Sequence, residues 1–328
     1  DLSAVNIEEN GNRTPINYVL PPGINREIMF GTTDLQEQNE QSLSMKICNL
    51  KDGDARAAFK NLDVDMRTYK RLKMFVHAEA VEDELLFKDG DINAFIRMGS
   101  DNTNNYYQYE IPLTVTSWGE TSESLIWPEE NQFDIEFALL QVAKQIRNDA
   151  IRNSEDVTYQ THFVYEPTEF PGHKITIVGS PNIGNIKTLM IGVKNPKDLD
   201  PIDMTDDGLS KCFELWINEL RLAEFDERGG WAANARVVTQ LADFGTVTVA
   251  GSMSSIGFGS LEKNVLERNQ NFTKQYDVST NFELGKFFPE KSKIKIPFYY
   301  NLSEELSNPQ FNPLDPDIEL TAALDAMP

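Results

Sequence analysis

Residues Gly179–Thr188, GSPNIGNIKT, hold the ingredients of a phosphate-binding loop: glycines, a Lys followed by Thr, and a preceding β-rich KITIV. Such a loop needs its Lys directly after the last Gly, so that the ammonium reaches the β- and γ-phosphates. Here Asn185 and Ile186 intervene before Lys187, and the LMIGVKNP that follows is strand-like rather than helical. The expectation is a loop between two strands. A second cluster, DLDPIDMTDDG, crowds Asp198, Asp200, Asp203, Asp206 and Asp207 into one loop. Oxygen-rich loops can hold Ca²⁺, but the EF-hand register with its Gly and terminal bidentate Glu is absent. A solvated acidic loop is the favoured reading, with Asp198, Asp200, Asp203 and Asp206 kept as calcium candidates.

Nucleophilic chemistry has little to work with. His77, His162 and His173 are the only histidines, and no GxSxG elbow or Cys-His context accompanies them. Structural roles are expected for all three. Carboxylate pairs for glycoside hydrolysis exist by number alone, since sequence supplies no distances. Trp118, Trp127, Tyr106 and Tyr107 could stack on a sugar, although core packing is expected ahead of that. No catalytic residue and no cofactor site is expected.

The elements that would position these residues are short and β-rich. Runs at 26–31, 42–48, 72–80, 92–99, 106–113, 173–179, 188–194 and 212–222 read as about eight strands. In Leu72, Met74, Val76 and Ala78 against Lys73, His77 and Glu79 the period is two, as half-buried strands require. From Phe133 to Asn153 the apolar Leu139, Val142, Ala143, Ile146 and Ala150 fall at helical spacing after PEENQ. The fold class expected is mainly β: a jelly-roll-like antiparallel sandwich over residues 26–225 with one inserted helix, preceded by an extended arm over 1–25.

The chain has 328 residues with 52 carboxylates against 30 Lys and Arg, a net charge of −22. Nucleic acid is excluded as a partner, because phosphate binding needs clustered cations. Cys48 and Cys212 could pair across the sandwich or stay free and buried, the second being favoured. No run of 18 apolar residues offers a transmembrane helix. The chain begins at Asp1 without a targeting segment, and is expected to be an internal piece of something longer.

Beyond Gly230 the pattern becomes more regular. Trp231, Ala233, Ala235, Val237, Thr239 and Leu241 share one face, with Asn234 and Arg236 opposite. Val247, Val249, Gly251 and Met253 continue it. So do Tyr276, Val278, Thr280, Phe282 and Leu284 against Asp277, Asn281 and Glu283. Ile294, Ile296, Phe298, Tyr300 and Leu302 complete it against Lys293 and Lys295. None of these twenty apolar-face positions is charged, where an average composition would place about five. Four strands are expected, near 231–241, 246–254, 276–286 and 293–303. Their connections are short at 242–245, long over 255–275 and short again at 288–292, with aromatics at the strand ends, the pattern of outer-membrane barrels. Four strands cannot close a barrel, so more must come from elsewhere. The apolar column is expected to face lipid and the polar column a wet lumen.

The segments FELWINELRLAEFDERGGWAANARV, LADFGTVTVAGSMSSIGFGSLE, YDVSTNFELGKFFPEKSKIKIPFYY and NPQFNPLDPDIEL resemble the SprA/Sov family of the type IX secretion and gliding-motility system of Bacteroidetes. The likeness is densest over 213–320 and continues more weakly back to about residue 15. It implies part of a large outer-membrane β-barrel translocon for folded cargo. The implied partners are the remainder of the same polypeptide, membrane lipid, a plug subunit, a PorV-type barrel and cargo bearing a C-terminal signal. No catalysis is implied. A soluble glycan-binding surface module is the alternative, and a polysaccharide-acting enzyme the third reading.

Overall fold

The computed structural model describes residues 1–26, 28–29, 36–81, 87–153, 156–197, 207–263 and 267–325. The chain folds as two compact units, Asp1–Phe225 and Asp226–Pro328. The first contains β1 (Leu2–Asn6), α1 (Ile7–Asn10), β2 (Ile28–Met29), β3 (Gln36–Glu37), β4 (Gln41–Leu50), β5 (Ala55–Val64), β6 (Tyr69–Ala80), β7 (Asn93–Gly99) and β8 (Tyr106–Pro112). It continues through α2 (Glu123–Ile126), β9 (Phe133–Glu136), α3 (Phe137–Arg152), β10 (Phe163–Tyr165), β11 (Lys174–Val178), β12 (Ile186–Lys194) and β13 (Lys211–Phe225). A five-stranded antiparallel sheet runs β1-β4-β13-β6-β9, and a six-stranded one β10-β11-β8-β7-β12-β5.

The two sheets share one apolar core. Met74, Val76 and Ala78 of β6 and Phe213 and Leu215 of β13 pack with Ile96 and Met98 of β7, Tyr107, Tyr109 and Ile111 of β8, and Ile175 and Ile177 of β11. The period-two pattern therefore marks real strands, yet β6 is not half-buried. Phe75, His77 and Glu79 on its other face are buried too. They lie beneath a second apolar cluster in which Ile16, Tyr18, Ile126 and Trp127 cover Phe75 and Trp216. Residues 1–25 are accordingly not an extended arm. Their first strand pairs with β4, Leu2 opposite Met45 through Asn6 opposite Gln41, and their following residues form part of this cover.

Arg13 ties that cover to the sheet. Its Nη2 donates to Glu79 Oε1 at 2.5 Å and to Glu214 Oε2 at 2.8 Å. Glu214 Oε1 also accepts from the Ser44 hydroxyl at 2.8 Å and the Trp216 indole N–H at 3.0 Å. Two carboxylates are thus held in a largely dry site by one guanidinium and neutral donors.

Several other expectations change. The helix begins at Phe137 rather than Phe133, because Phe133 and Ile135 alternate into the core as β9. Its buried face is Phe137, Leu140, Ala143, Lys144, Arg147 and Ala150, whereas Val142 and Ile146 are exposed. Two cations sit on the buried face because they meet carbonyls: Lys144 Nζ donates to Pro181 O at 2.8 Å and Arg147 Nη1 to Gly179 O at 2.5 Å. Within 26–31 only Ile28–Met29 is a described strand, paired with Gln36–Glu37. The edge strand β5, ARAAFKNLDV, carries no alternating signal in the sequence, since it is mostly exposed and lacks a buried column. Cys48 and Cys212 are not free thiols but a disulfide joining neighbouring strands β4 and β13 across 164 residues of sequence.

The second unit contains β14 (Ala232–Leu241), β15 (Gly245–Ser254), β16 (Asn271–Glu283), β17 (Pro297–Pro309), β18 (Phe311–Asn312), β19 (Asp315–Glu319) and α4 (Leu320–Asp325). The first four form one antiparallel meander in chain order. β16 and β17 are displaced from the expected 276–286 and 293–303. Pro289 has no N–H to give a ladder and Lys293 has a φ of 48°, so residues 284–296 make a wide connection with two 3₁₀ turns instead of a tight one. Pro297 and Pro309 are tolerated because β17 is an edge strand.

Two predictions follow from the first unit. Arg13→Met strands Glu79 and Glu214 without a cation and should cost about 3–5 kcal/mol in urea unfolding, most of it recovered by adding Glu79→Gln and Glu214→Gln. The second concerns Asp101 in the β7–β8 loop. Burial opposes its ionisation, but hydrogen bonds from the backbone N–H groups of Asn104, Thr103 and Asn105 and from the Asn105 amide outweigh it and hold the carboxyl well below the usual range. A depressed native pKa stabilises above the unfolded value near 4 and is lost as the pH falls through the native one. Asp101→Ala should cost about 1–3 kcal/mol at neutral pH, and the difference from wild type should shrink in acid.

Candidate functional site

The residues that could have done chemistry in the first unit are occupied structurally. The His77 Nδ1 lies 2.8 Å from Ile126 O, so its N–H is directed to a carbonyl, and the ring stacks on Trp216 with centroids 4.0 Å apart. Thr116 Oγ1 approaches the same nitrogen at 3.1 Å, but its proton goes to Leu125 O at 3.1 Å. No base is left to activate the hydroxyl. His173 Nδ1 meets the Tyr109 hydroxyl at 2.9 Å, and burial pushes its pKa down. His162 packs edge-on against Tyr106.

The loop GSPNIGNIKT offers carbonyls, not amides, to its charged neighbours: Gly179 O and Pro181 O receive Arg147 and Lys144. That is the reverse of a phosphate cradle. The calcium candidates Asp198, Asp200, Asp203 and Asp206 lie outside the described residues. Asp207 does not wait for a metal, since Lys211 Nζ contacts its carboxylate at 2.5 Å and that of Asp91 at 2.7 Å. Among the described residues no group of three or more His, Cys, Asp and Glu is arranged to hold a metal ion. The sugar-stacking candidates Tyr106, Tyr107 and Trp127 are each 2 % exposed or less, and Trp118 alone reaches 38 %.

The β14–β17 sheet is different in kind. Opposed residues in antiparallel strands share a face, so the register sorts every side chain. One row aligns Val237, Val249, Val278 and Leu302. The next, toward the tight turn, aligns Thr239, Val247, Thr280 and Tyr300, and the row after it Leu241, Gly245, Phe282 and Phe298. Phe244 and Phe287 join Phe282 and Phe298 in an aromatic group at that end. A Cβ on Gly245 would meet Asn281 O at 2.3 Å, so the Phe282 row admits only glycine there. Away from the turn the face continues as Ala235, Gly251 and Tyr276, then Ala233 and Met253.

The opposite face is polar: Asn234, Ser252, Gln275 and Glu305 form one row, Arg236, Ala250, Asp277 and Ser303 the next, then Val238, Thr248, Ser279 and Asn301, and last Gln240, Thr246, Asn281 and Tyr299. The sequence pattern thus becomes two real faces, with three differences. Lys274 and Glu304 join the apolar face, Glu304 accepting from the Tyr276 hydroxyl. Leu284, Lys293, Ile294, Lys295 and Ile296 leave the strands for the connection at 284–296. Glu283 ends the β16 ladder, its Oε1 accepting from Ile296 N at 2.6 Å and Gly285 N at 3.2 Å.

Within this unit nothing covers the apolar face among the described residues. Val237 is 61 % exposed, and Val249, Phe298, Tyr300 and Leu302 all stand open. Neither apolar cluster of the described residues includes one from this sheet. A water-facing surface of this kind is a binding surface or a lipid surface. Among the described residues no helix is long and apolar enough to cross a membrane, which does not bear on crossing by strands.

No curated protein matches the chain. A family model described as motility related/secretion protein, SprA_N, matches residues 1–324, spanning both units. The chain belongs to this SprA/Sov family of motility- and secretion-related proteins.

Proposed function

We propose that the chain is a structural part of an outer-membrane protein-conducting translocon that exports folded cargo by type IX secretion, and that it catalyses nothing. The observation that carries the reading is the in-register division of β14–β17 into an uncovered apolar face and a polar one. In a bilayer such a sheet needs no protein core, because lipid covers one face and water wets the other. Trp231, Ala233, Ala235, Val237, Val247, Val249, Tyr276, Val278, Phe282, Phe298 and Tyr300 then face lipid. Asn234, Arg236, Asp277 and Asn281 face the lumen. From Phe282 to Phe272 the apolar face rises about 34 Å along the strand, about 25 Å across the membrane at a barrel's tilt.

The edges β14 and β17 are open in this sheet. Closing them requires further strands, which the remainder of a longer polypeptide would supply. A plug subunit, a PorV-type barrel and cargo with a C-terminal signal are the partners that the family resemblance adds. The first unit reads as a jelly roll. Its order β4-β13-β6-β9 opposite β5-β12-β7-β8 pairs the first strand with the last and the second with the next to last. Since β14 starts at the end of the sheet away from the tight 242–244 turn, the sandwich joins on the extracellular side. The Cys48–Cys212 disulfide suits an oxidising compartment.

Single cysteines in the bilayer-reconstituted protein test the two faces with a membrane-impermeant maleimide. Asn234→Cys, Thr248→Cys and Ser279→Cys should label, while Val237→Cys, Val249→Cys and Val278→Cys should not. Uniform labelling along β14–β16, without the alternation, would remove the membrane-wall reading.

A further inference from the structure

The first unit carries a groove of about 790 Å³ that no feature above uses. Its floor is apolar, formed by Phe75, Leu125, Trp127 and Pro128, over the second cluster of the fold. Its rim carries the carboxylates of Asp89, Glu120, Glu129 and Glu130, and among the described residues no lysine or arginine lines it. None of the four acids has an ion-pair partner among the described residues.

The rim is built rather than loose. Asp89 Oδ1 accepts from Val115 N at 2.7 Å. Glu120 Oε1 accepts from Ser122 N and Thr121 N at 2.8 Å each, which lowers its pKa and keeps it anionic. Glu129 and Glu130 sit on a short 3₁₀ turn ending at Asn131. The buried Asn131 amide clamps both backbone groups of Thr114, accepting from its N at 2.7 Å and donating to its O at 2.8 Å. Fixed anions around an apolar floor select an occupant with positive charges and apolar surface between them. A polyanion is repelled. A sugar finds no open ring face on Trp127, which is only 2 % exposed.

We propose that this groove binds an extended basic peptide segment of a partner protein, its lysine or arginine side chains meeting the four carboxylates and its apolar side chains lying on the Phe75–Trp127 floor. The site shares no residue with the β14–β17 sheet, so its failure would leave the membrane reading untouched, and the reverse. The test is fluorescence anisotropy of a labelled octapeptide of alternating lysine and proline against the whole protein in detergent micelles, with alternating glutamate and proline as control. The lysine peptide should bind saturably and weaken with salt. Glu129→Gln with Glu130→Gln should weaken it about five- to tenfold, as two partly exposed ion pairs would. Leu125→Arg, at an exposed floor position, should abolish binding while leaving the fold intact by circular dichroism. Equal affinity for the glutamate peptide, indifference to these substitutions, or no saturable binding of the lysine peptide up to about 1 mM would overturn the proposal.

Discussion

Arg13 lies between Glu79 and Glu214, and the architecture of the first unit depends on that ion triad. Desolvating two carboxylates is costly unless cationic and neutral donors replace water. Arg13, Ser44 and the Trp216 indole do so here. With the charges satisfied, Ile16 and Tyr18 can close over Trp216 and Phe75, and β6 and β13 become central strands buried on both faces. The Tyr18 hydroxyl bonding Ser42 Oγ at 2.8 Å, and the Trp127 indole donating to Val19 O at 2.9 Å, fasten the same segment from its far end.

The second unit meets the same physical demand in another way. A sheet with an apolar face must remove that face from water, and among the described residues no apolar cluster joins β14–β17 to a helix or a second sheet that would do so. Its polar face carries serine, threonine, asparagine and glutamine in nearly every row, which is unsuited to a protein core and suited to water. The two faces together are what the proposed sheet between lipid and lumen requires. Lys274 and Glu304 are the charged exceptions on the apolar face, and Glu304 is engaged by the Tyr276 hydroxyl rather than left bare.

Burial also separates chemistry from its imitation. Gly179–Thr188 has the composition of a nucleotide loop, but its carbonyls hold down α3 through Lys144 and Arg147. Thr116, His77 and Glu79 line up like a catalytic relay, yet the His77 N–H and the Thr116 hydroxyl are both spent on backbone carbonyls of the 125–126 turn. In each case the residues are fixed by packing demands of the sandwich, in keeping with a family of motility and secretion proteins rather than enzymes.

Sequence by itself determined what depends on local periodicity. Alternation at Leu72–Ala80 and at Ala233–Leu241 marks strands because neighbouring side chains on a strand must point to opposite faces. The family was legible for a related reason, since long segments such as FELWINELRLAEFDERGG keep their identity without any fold in view. Tertiary structure alone decided what covers each face. The cover over His77 and Glu79 comes from residues 1–25 and 114–131, and the partner of Cys48 lies 164 residues away. Helical spacing in α3 suggested Val142 and Ile146 for the core, whereas the carbonyls of Gly179 and Pro181 drew Lys144 and Arg147 there. Periodicity is written in adjacent residues; burial is set by distant segments brought together, and no local pattern encodes which of them arrive.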